Sequence, residues 1–135
     1  MRVVDGDTVV AAIGGVEDRI RLIGINTPES VDPNRPVQCF GPEASHRTKQ
    51  LLPPGTPVRL VRDAEARDKY DRLLAYVYRS GDDLFVNLDL VAEGLAISYP
   101  FPPNTAHRSE FAAAERAARN SNSGMWAACP NPTKQ

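Results

Sequence analysis

The chain has 135 residues, 41% of them apolar and 24% charged, and a formal net charge of −1. That is enough for one domain around one core. The near-neutral charge excludes a protein that coats nucleic acid by bulk positive charge, and no apolar run of about 18 residues is present to span a membrane. There are two cysteines, Cys39 and Cys129. They are too far apart for a paired metal-ligand motif and are consistent either with two buried thiols or with a disulfide in an exported protein.

The opening Met1-Arg2-Val3 lacks an apolar signal region and enters a strand directly, as in a chain trimmed at its first strand or one whose leader has been removed. Val3 to Val10 alternates as one strand. Val3, Asp5, Asp7 and Val9 then share a face, with the two carboxylates about 7 Å apart. Gly14-Gly15 signals a hairpin, and Glu17 to Ile25 returns as the partner strand, with Arg21 set among Ile20, Leu22, Ile23 and Ile25. Residues 26–40 carry three prolines and no periodicity, the mark of a functional loop. A helix starts at Pro42 with Gly41 before it, and Pro53-Pro54-Gly55 stops it. Residues 56–63 and 72–79 are two further strands, joined by the polar stretch 64–71 and followed by a turn at Ser80-Gly81-Asp82-Asp83. A short helix at 87–93 ends on Gly94. Residues 105–120 make the clearest helix, with Phe111, Ala114 and Ala118 on one face and a Glu115–Arg119 pair four residues apart. The order predicts an α+β fold, a five-stranded barrel of the oligonucleotide-binding type with three packed helices, occupying residues 1–135 as a single domain.

Asp5 and Asp7 fit either a solvent-facing pair beside a bulge at Gly6 or a site for a hard cation, which carboxylate and carbonyl oxygens select. Arg21 fits an ion pair with one of them as well as it fits catalysis. Glu29 alone reads as solvated, and Arg72 alone as a strand-edge charge. Together they fall at strand ends, where sites collect. A cation with two guanidinium groups suits the extra negative charge of a pentacovalent phosphorus, and a nearby carboxylate suits activation of water. His46 and His107 are isolated and read as surface helix residues. No G-x-S-x-G elbow and no Gly-rich loop with Lys is present.

The segments VDGDTV, RLIGINTPE, FGPEAS, DKYDRLLAYVY, VNLDLVAEGLA and GMW resemble, in order and spacing, the staphylococcal nuclease (thermonuclease-like) family. The resemblance runs from about residue 4 to residue 126, leaving 127–135 as a tail. It implies a Ca²⁺-dependent nuclease that hydrolyses DNA and RNA with low sequence specificity, leaves 3′-phosphate ends and acts as a monomer. It implies metal ligation by Asp7, Asn26 and the Thr27 carbonyl, with Asp5 behind them. It implies Arg21 and Arg72 on the scissile phosphate and Glu29 as the general base. Lys69 and Tyr70 are implied on a neighbouring phosphate, with Tyr99 stacking on base or sugar. In the family's fold the end of the chain packs near the start of the first helix, which implies a Cys39–Cys129 disulfide and a secreted or extracytoplasmic protein. The chain departs from the family pattern at Asn26, where a second calcium-binding Asp is usual, at Phe101 in place of Tyr, and at Asp71 in place of Gly. The alternative function is a non-catalytic module of the same fold that binds single-stranded nucleic acid or a protein; it has no need of Asp7, Arg21, Glu29 and Arg72 together.

Overall fold

A computed structural model describes residues 1–30, 34, 36–130 and 132. Among these residues seven strands and four helices follow one another: β1 (Arg2–Asp5), β2 (Thr8–Ile13), β3 (Val16–Leu22), β4 (Ile25–Asn26), α1 (Gly41–Leu51), β5 (Val58–Val61), β6 (Leu73–Arg79), α2 (Val86–Ala92), β7 (Ile97–Ser98), α3 (Arg108–Asn120) and α4 (Met125–Ala128). The architecture is α+β. A five-stranded mixed sheet has the order β1-β2-β3-β6-β5, and β4 pairs with β7 in a separate two-stranded ladder. The hydrogen-bonded order ends on β1 and β5, so the expected closed barrel is not found: among the described residues the sheet stays open.

The single strand expected over residues 3–10 is instead a hairpin. Asp5 pairs with Thr8, and the chain reverses at Gly6-Asp7. The Asp5 carboxylate accepts the Gly6 N–H at 2.8 Å, a local bond that competes with a continuing ladder. Gly6 also lies against Thr27, where an added Cβ would sit 2.8 Å from Thr27 Oγ1. Asp5 therefore ends β1 and Asp7 lies in the tight turn after it, so the two do not share one strand face.

The return strand is also interrupted. β3 stops at Leu22, and Gly24 adopts φ +81° where an added Cβ would lie 2.2 Å from the Phe111 ring. Only glycine fits that bend, and after it Ile25 and Asn26 pair with β7. Fully buried Asn87 pins the break: its Nδ2 donates to Ile23 O at 2.9 Å, and its Oδ1 accepts Val77 N–H at 2.9 Å. β6 lies between parallel β3 and antiparallel β5 and packs against α2. Leu74 to Val77 are accordingly all buried, the pattern of a strand covered on both faces.

The core gathers Val9, Ile20, Leu22, Ile25, Tyr76, Leu90 and Phe111, all at most 1% exposed. α3 begins at Arg108, three residues later than its sequence suggests; ahead of it Ala106 N–H donates to Asp63 Oδ2 at 2.9 Å. His107 is a packing residue, not a free surface group; its ring lies 4.5 Å from that of Tyr76 and 5.1 Å from that of Phe85. α1 starts on Gly41 itself. The short α4 is an addition to the three expected helices. Cys39 and Cys129 are joined by a disulfide, their Cα atoms 5.9 Å apart, which fastens the end of α4 to the segment entering α1. Among the described residues no helix is long and apolar enough to cross a membrane.

Candidate active site

The parallel register of β3 and β6 sets Arg21 opposite Leu74. Side chains two apart on a strand share a face, so Arg72, just before β6, projects toward the same side as Arg21. Both arginines line two adjoining cavities. One is a polar cleft of about 210 Å³ bordered also by Asp5, Asp7, Asn26, Thr27 and Glu29. The other is a groove of about 520 Å³ lined by Lys69, Tyr70, Tyr99 and Phe101 among others. The fold thus brings together every residue named above for metal, phosphate and water in the cleft, and every residue named for substrate contact in the groove. Cys39 and Cys129 line neither.

The two arginines are held differently. Arg21 is partly buried and heavily committed. One terminal nitrogen donates to Leu22 O, and the other to Ile25 O at 3.1 Å and Asn26 Oδ1 at 3.3 Å. The latter also lies 3.4 Å from Asp7 Oδ2, so the ion pair with an aspartate is real and coexists with a place at the cleft wall. Arg72 donates through Nε to Asp68 Oδ2 at 2.8 Å. Its terminal nitrogens make no hydrogen bond among the described residues and remain available to a ligand.

The acids are likewise built in. Thr27 N–H donates to Asp7 Oδ2 at 3.1 Å, tying the loop after β4 to the β1–β2 turn. Ser30 Oγ donates to Asp5 Oδ1 at 2.6 Å. Burial pushes the Asp5 carboxyl up to about 6; the Glu29 carboxyl and the Asp7 charge add to the rise, while the Ser30 and Gly6 hydrogen bonds oppose it. Glu29 is fixed through its backbone: its N–H donates to Gln38 Oε1 at 2.7 Å, and its carbonyl accepts Gln38 N–H at 2.9 Å. Thr27 Oγ1 is buried without a hydrogen-bond partner among the described residues.

Three residues escaped sequence reasoning: Ser30, Gln38 and Asp68. Gln38 lies in an aperiodic loop and offers no signal. Asp68 does, since it stands four residues before Arg72 with a Tyr between them. The loop residues 31–33 and 35, and the tail residues 131 and 133–135, lie outside the described residues.

In the groove, Tyr99 and Phe101 are 46% and 61% exposed with near-parallel rings, 8° apart in plane. Exposed aromatic pairs beside free cationic groups are suited to bases and phosphates rather than to a protein core.

Comparison with known proteins agrees with this chemistry. The family model described as "Staphylococcal nuclease homologue" matches residues 19–128. A thermonuclease of Staphylococcus intermedius is 45% identical over 125 residues, covering 93% of this chain and 73% of that protein. A thermonuclease of Staphylococcus hyicus is 40% identical, with the same coverage of 93% and 73%. Endonuclease YncB of Bacillus subtilis is 38% identical over 93% of this chain and 59% of its own length. With the arginine pair, the acids and the aromatic groove in one place, the chain belongs to the staphylococcal nuclease family and is a nuclease, an enzyme that hydrolyses phosphodiester bonds.

Proposed function

We propose that this nuclease is calcium-dependent, cleaves DNA and RNA with little sequence preference and leaves 3′-phosphate ends. The observation that carries the reading is the arginine pair shared by the acidic cleft and the aromatic groove. A phosphodiester backbone lying across that boundary meets cations at its reacting phosphate and rings at its base. The fold is read as an oligonucleotide-binding architecture whose ladder is open between β1 and β5. A single domain over residues 1–135, a monomeric state and a secreted or extracytoplasmic setting complete the proposal; the disulfide supports that setting.

The cleft suits a hard divalent ion by its donors. Among the described residues no three His, Cys, Asp or Glu cluster as a metal cage, so carboxylates alone do not suffice. The set is all oxygen: Asp7, the Asn26 amide oxygen and the Thr27 carbonyl, with Asp5 behind; beside them the Thr27 hydroxyl is buried with no partner among the described residues. These residues would hold Ca²⁺. When bound, the ion supplies positive charge to the phosphate oxygens.

The chain's own residues then act as follows. Arg72 presents its two free terminal nitrogens to the phosphate, and Arg21 lends charge from the adjoining strand β3. Both stabilise the added negative charge at pentacovalent phosphorus. Glu29 accepts the proton of the attacking water. The water oxygen bonds to phosphorus as the P–O5′ bond breaks, and the 5′-oxygen leaves to be protonated. Lys69 and Tyr70 hold a neighbouring phosphate, and Tyr99 stacks on base or sugar. Digestion of single-stranded DNA and of RNA, with calcium or with excess chelator, tests the reading. Undiminished cleavage in chelator, or 3′-hydroxyl ends, would overturn it.

Two substitutions follow from these assignments. Glu29→Gln keeps the backbone clamp to Gln38 but removes the base, and kcat should fall by about 10²- to 10⁴-fold. A variant turning over within a factor of two of the parent removes Glu29 from the mechanism. Asn26→Asp adds a negative charge beside Asp7 and should tighten calcium binding in calorimetric titration with a nucleotide inhibitor present. Equal or weaker affinity means that residue 26 is not a ligand.

A further inference from the structure

The Asp68 carboxylate is the hub of the turn that delivers Arg72. Its Oδ1 accepts the backbone N–H of Tyr70 at 3.0 Å and of Arg72 at 2.9 Å, while Oδ2 accepts Arg72 Nε at 2.8 Å. The backbone closes the same turn, with Asp68 N–H donating to Arg72 O at 3.1 Å and Asp71 N–H to Asp68 O at 3.0 Å. The turn carries Asp71 at φ +62°, a conformation that a non-glycine residue keeps only where its surroundings enforce it. Burial by itself raises the Asp68 pKa, but the Arg72 backbone and side-chain bonds outweigh it and hold the group below the usual carboxylate range. The Asp68 side chain is 19% exposed and that of Arg72 24%, so water competes weakly for this pair.

We propose that Asp68 is a positioning residue for Arg72: by occupying Nε it turns the guanidinium fork toward the polar cleft, and by gripping Tyr70 N–H it sets Arg72 and Tyr70 in fixed register. The inference rests on Arg72 acting at the reacting phosphate. A guanidinium has five N–H donors in a rigid plane. Engaging Nε from one side leaves the two terminal nitrogens side by side on the other, where they can meet two phosphate oxygens at once. Arg21 cannot offer that fork, because its terminal nitrogens are already bound to Leu22, Ile25, Asn26 and Asp7. Arg67 does not compete with Arg72 for Asp68; it is bound to Asp18, its Nη2 lying 2.6 Å from Asp18 Oδ2, and through Nη1 to Asp71 O at 2.9 Å. One acid therefore orders both a reacting-phosphate contact and a neighbouring groove wall.

Asp68→Asn tests this sharply. An amide has one acceptor oxygen, so it can serve the two backbone N–H groups or Arg72 Nε, not both. The turn keeps its backbone bonds, and an N–H₂ then faces Nε. With excess calcium and single-stranded DNA, kcat should fall about 10- to 100-fold, KM should move less than about threefold, and the melting temperature should stay close to the parent's. The Arg72 Nε–H NMR resonance should shift and exchange faster. The same change in an Arg72→Lys background should cost less than about twofold, because lysine has no Nε–H fork to aim. Parental kcat for Asp68→Asn, or an equal loss in both backgrounds, overturns the positioning role. If Arg72→Lys itself retains parental kcat, the failure lies with the assignment of Arg72 and not with Asp68.

Discussion

Arg72→Ala should lower kcat by about 10³-fold or more, the scale seen when a charged donor to a transferring phosphoryl group is lost. Thermal stability should fall only moderately, through loss of the Nε bond to Asp68. The side chain is partly exposed, its terminal nitrogens make no internal bonds among the described residues, and removing it leaves Asp68 its two backbone donors. Arg21→Ala should behave differently. It strips donors from the carbonyls of Leu22 and Ile25 and from Asn26, and it leaves Asp7 without its guanidinium. Activity and melting temperature should fall together, since buried acceptors left unpaired cost about 1–3 kcal/mol each. Steady-state kinetics beside calorimetric melts of both variants separates the two roles. A fully active Arg72→Ala protein would remove the catalytic assignment, and an undestabilised Arg21→Ala protein would show its bonds to be weak.

Cys129→Ser should destabilise the fold more than any single surface substitution. The disulfide closes a sequence separation of 90 residues, worth about 4–5 kcal/mol in the chain-entropy treatment. For a chain of this size that corresponds to a fall in melting temperature of about 15 °C. A reductant should reproduce the loss in the parent and leave the variant unchanged. Equal melting temperatures for parent and variant under oxidising conditions would show that the crosslink stabilises nothing.

The helices and the inner strands are legible in the sequence because periodicity reports burial. Phe111 and Ala118 mark the buried stripe of α3, and Leu73 to Arg79 reads as the strand it is. Asp5, Asp7, Arg21, Glu29 and Arg72 stand out as charged groups at strand ends, whereas roles for Asn26, Thr27, Lys69, Tyr70 and Tyr99 are implied only by the family resemblance of the segments that carry them. The failures occur where a local side-chain bond or a tertiary contact overrides the pattern. The Asp5–Gly6 bond turns a strand into a hairpin. The Phe111 ring against Gly24 splits the return strand and sends Ile25 to β7. Sheet closure depends on which edges meet, and nothing in the alternation of β1 or β5 encodes that. Ser30, Gln38 and Asp68 act through partners that come within reach only once the loops are folded.

The crosslink also divides the molecule topologically. Residues 39 to 129 form a covalent ring, and residues 1–38 hang from it as a single arm. Asp5, Asp7, Arg21, Asn26 and Glu29 belong to the arm, while Lys69, Tyr70, Arg72 and Tyr99 belong to the ring. One peptide-bond cut anywhere inside the ring leaves every piece on the same molecule. A cut between Ser30 and Gln38 severs the acids from the groove, and only noncovalent contacts such as the β3–β6 ladder then keep the two halves of the cleft together. Resistance to fragmentation is therefore unequal along the chain: it is greater within residues 39–129 than in residues 1–38.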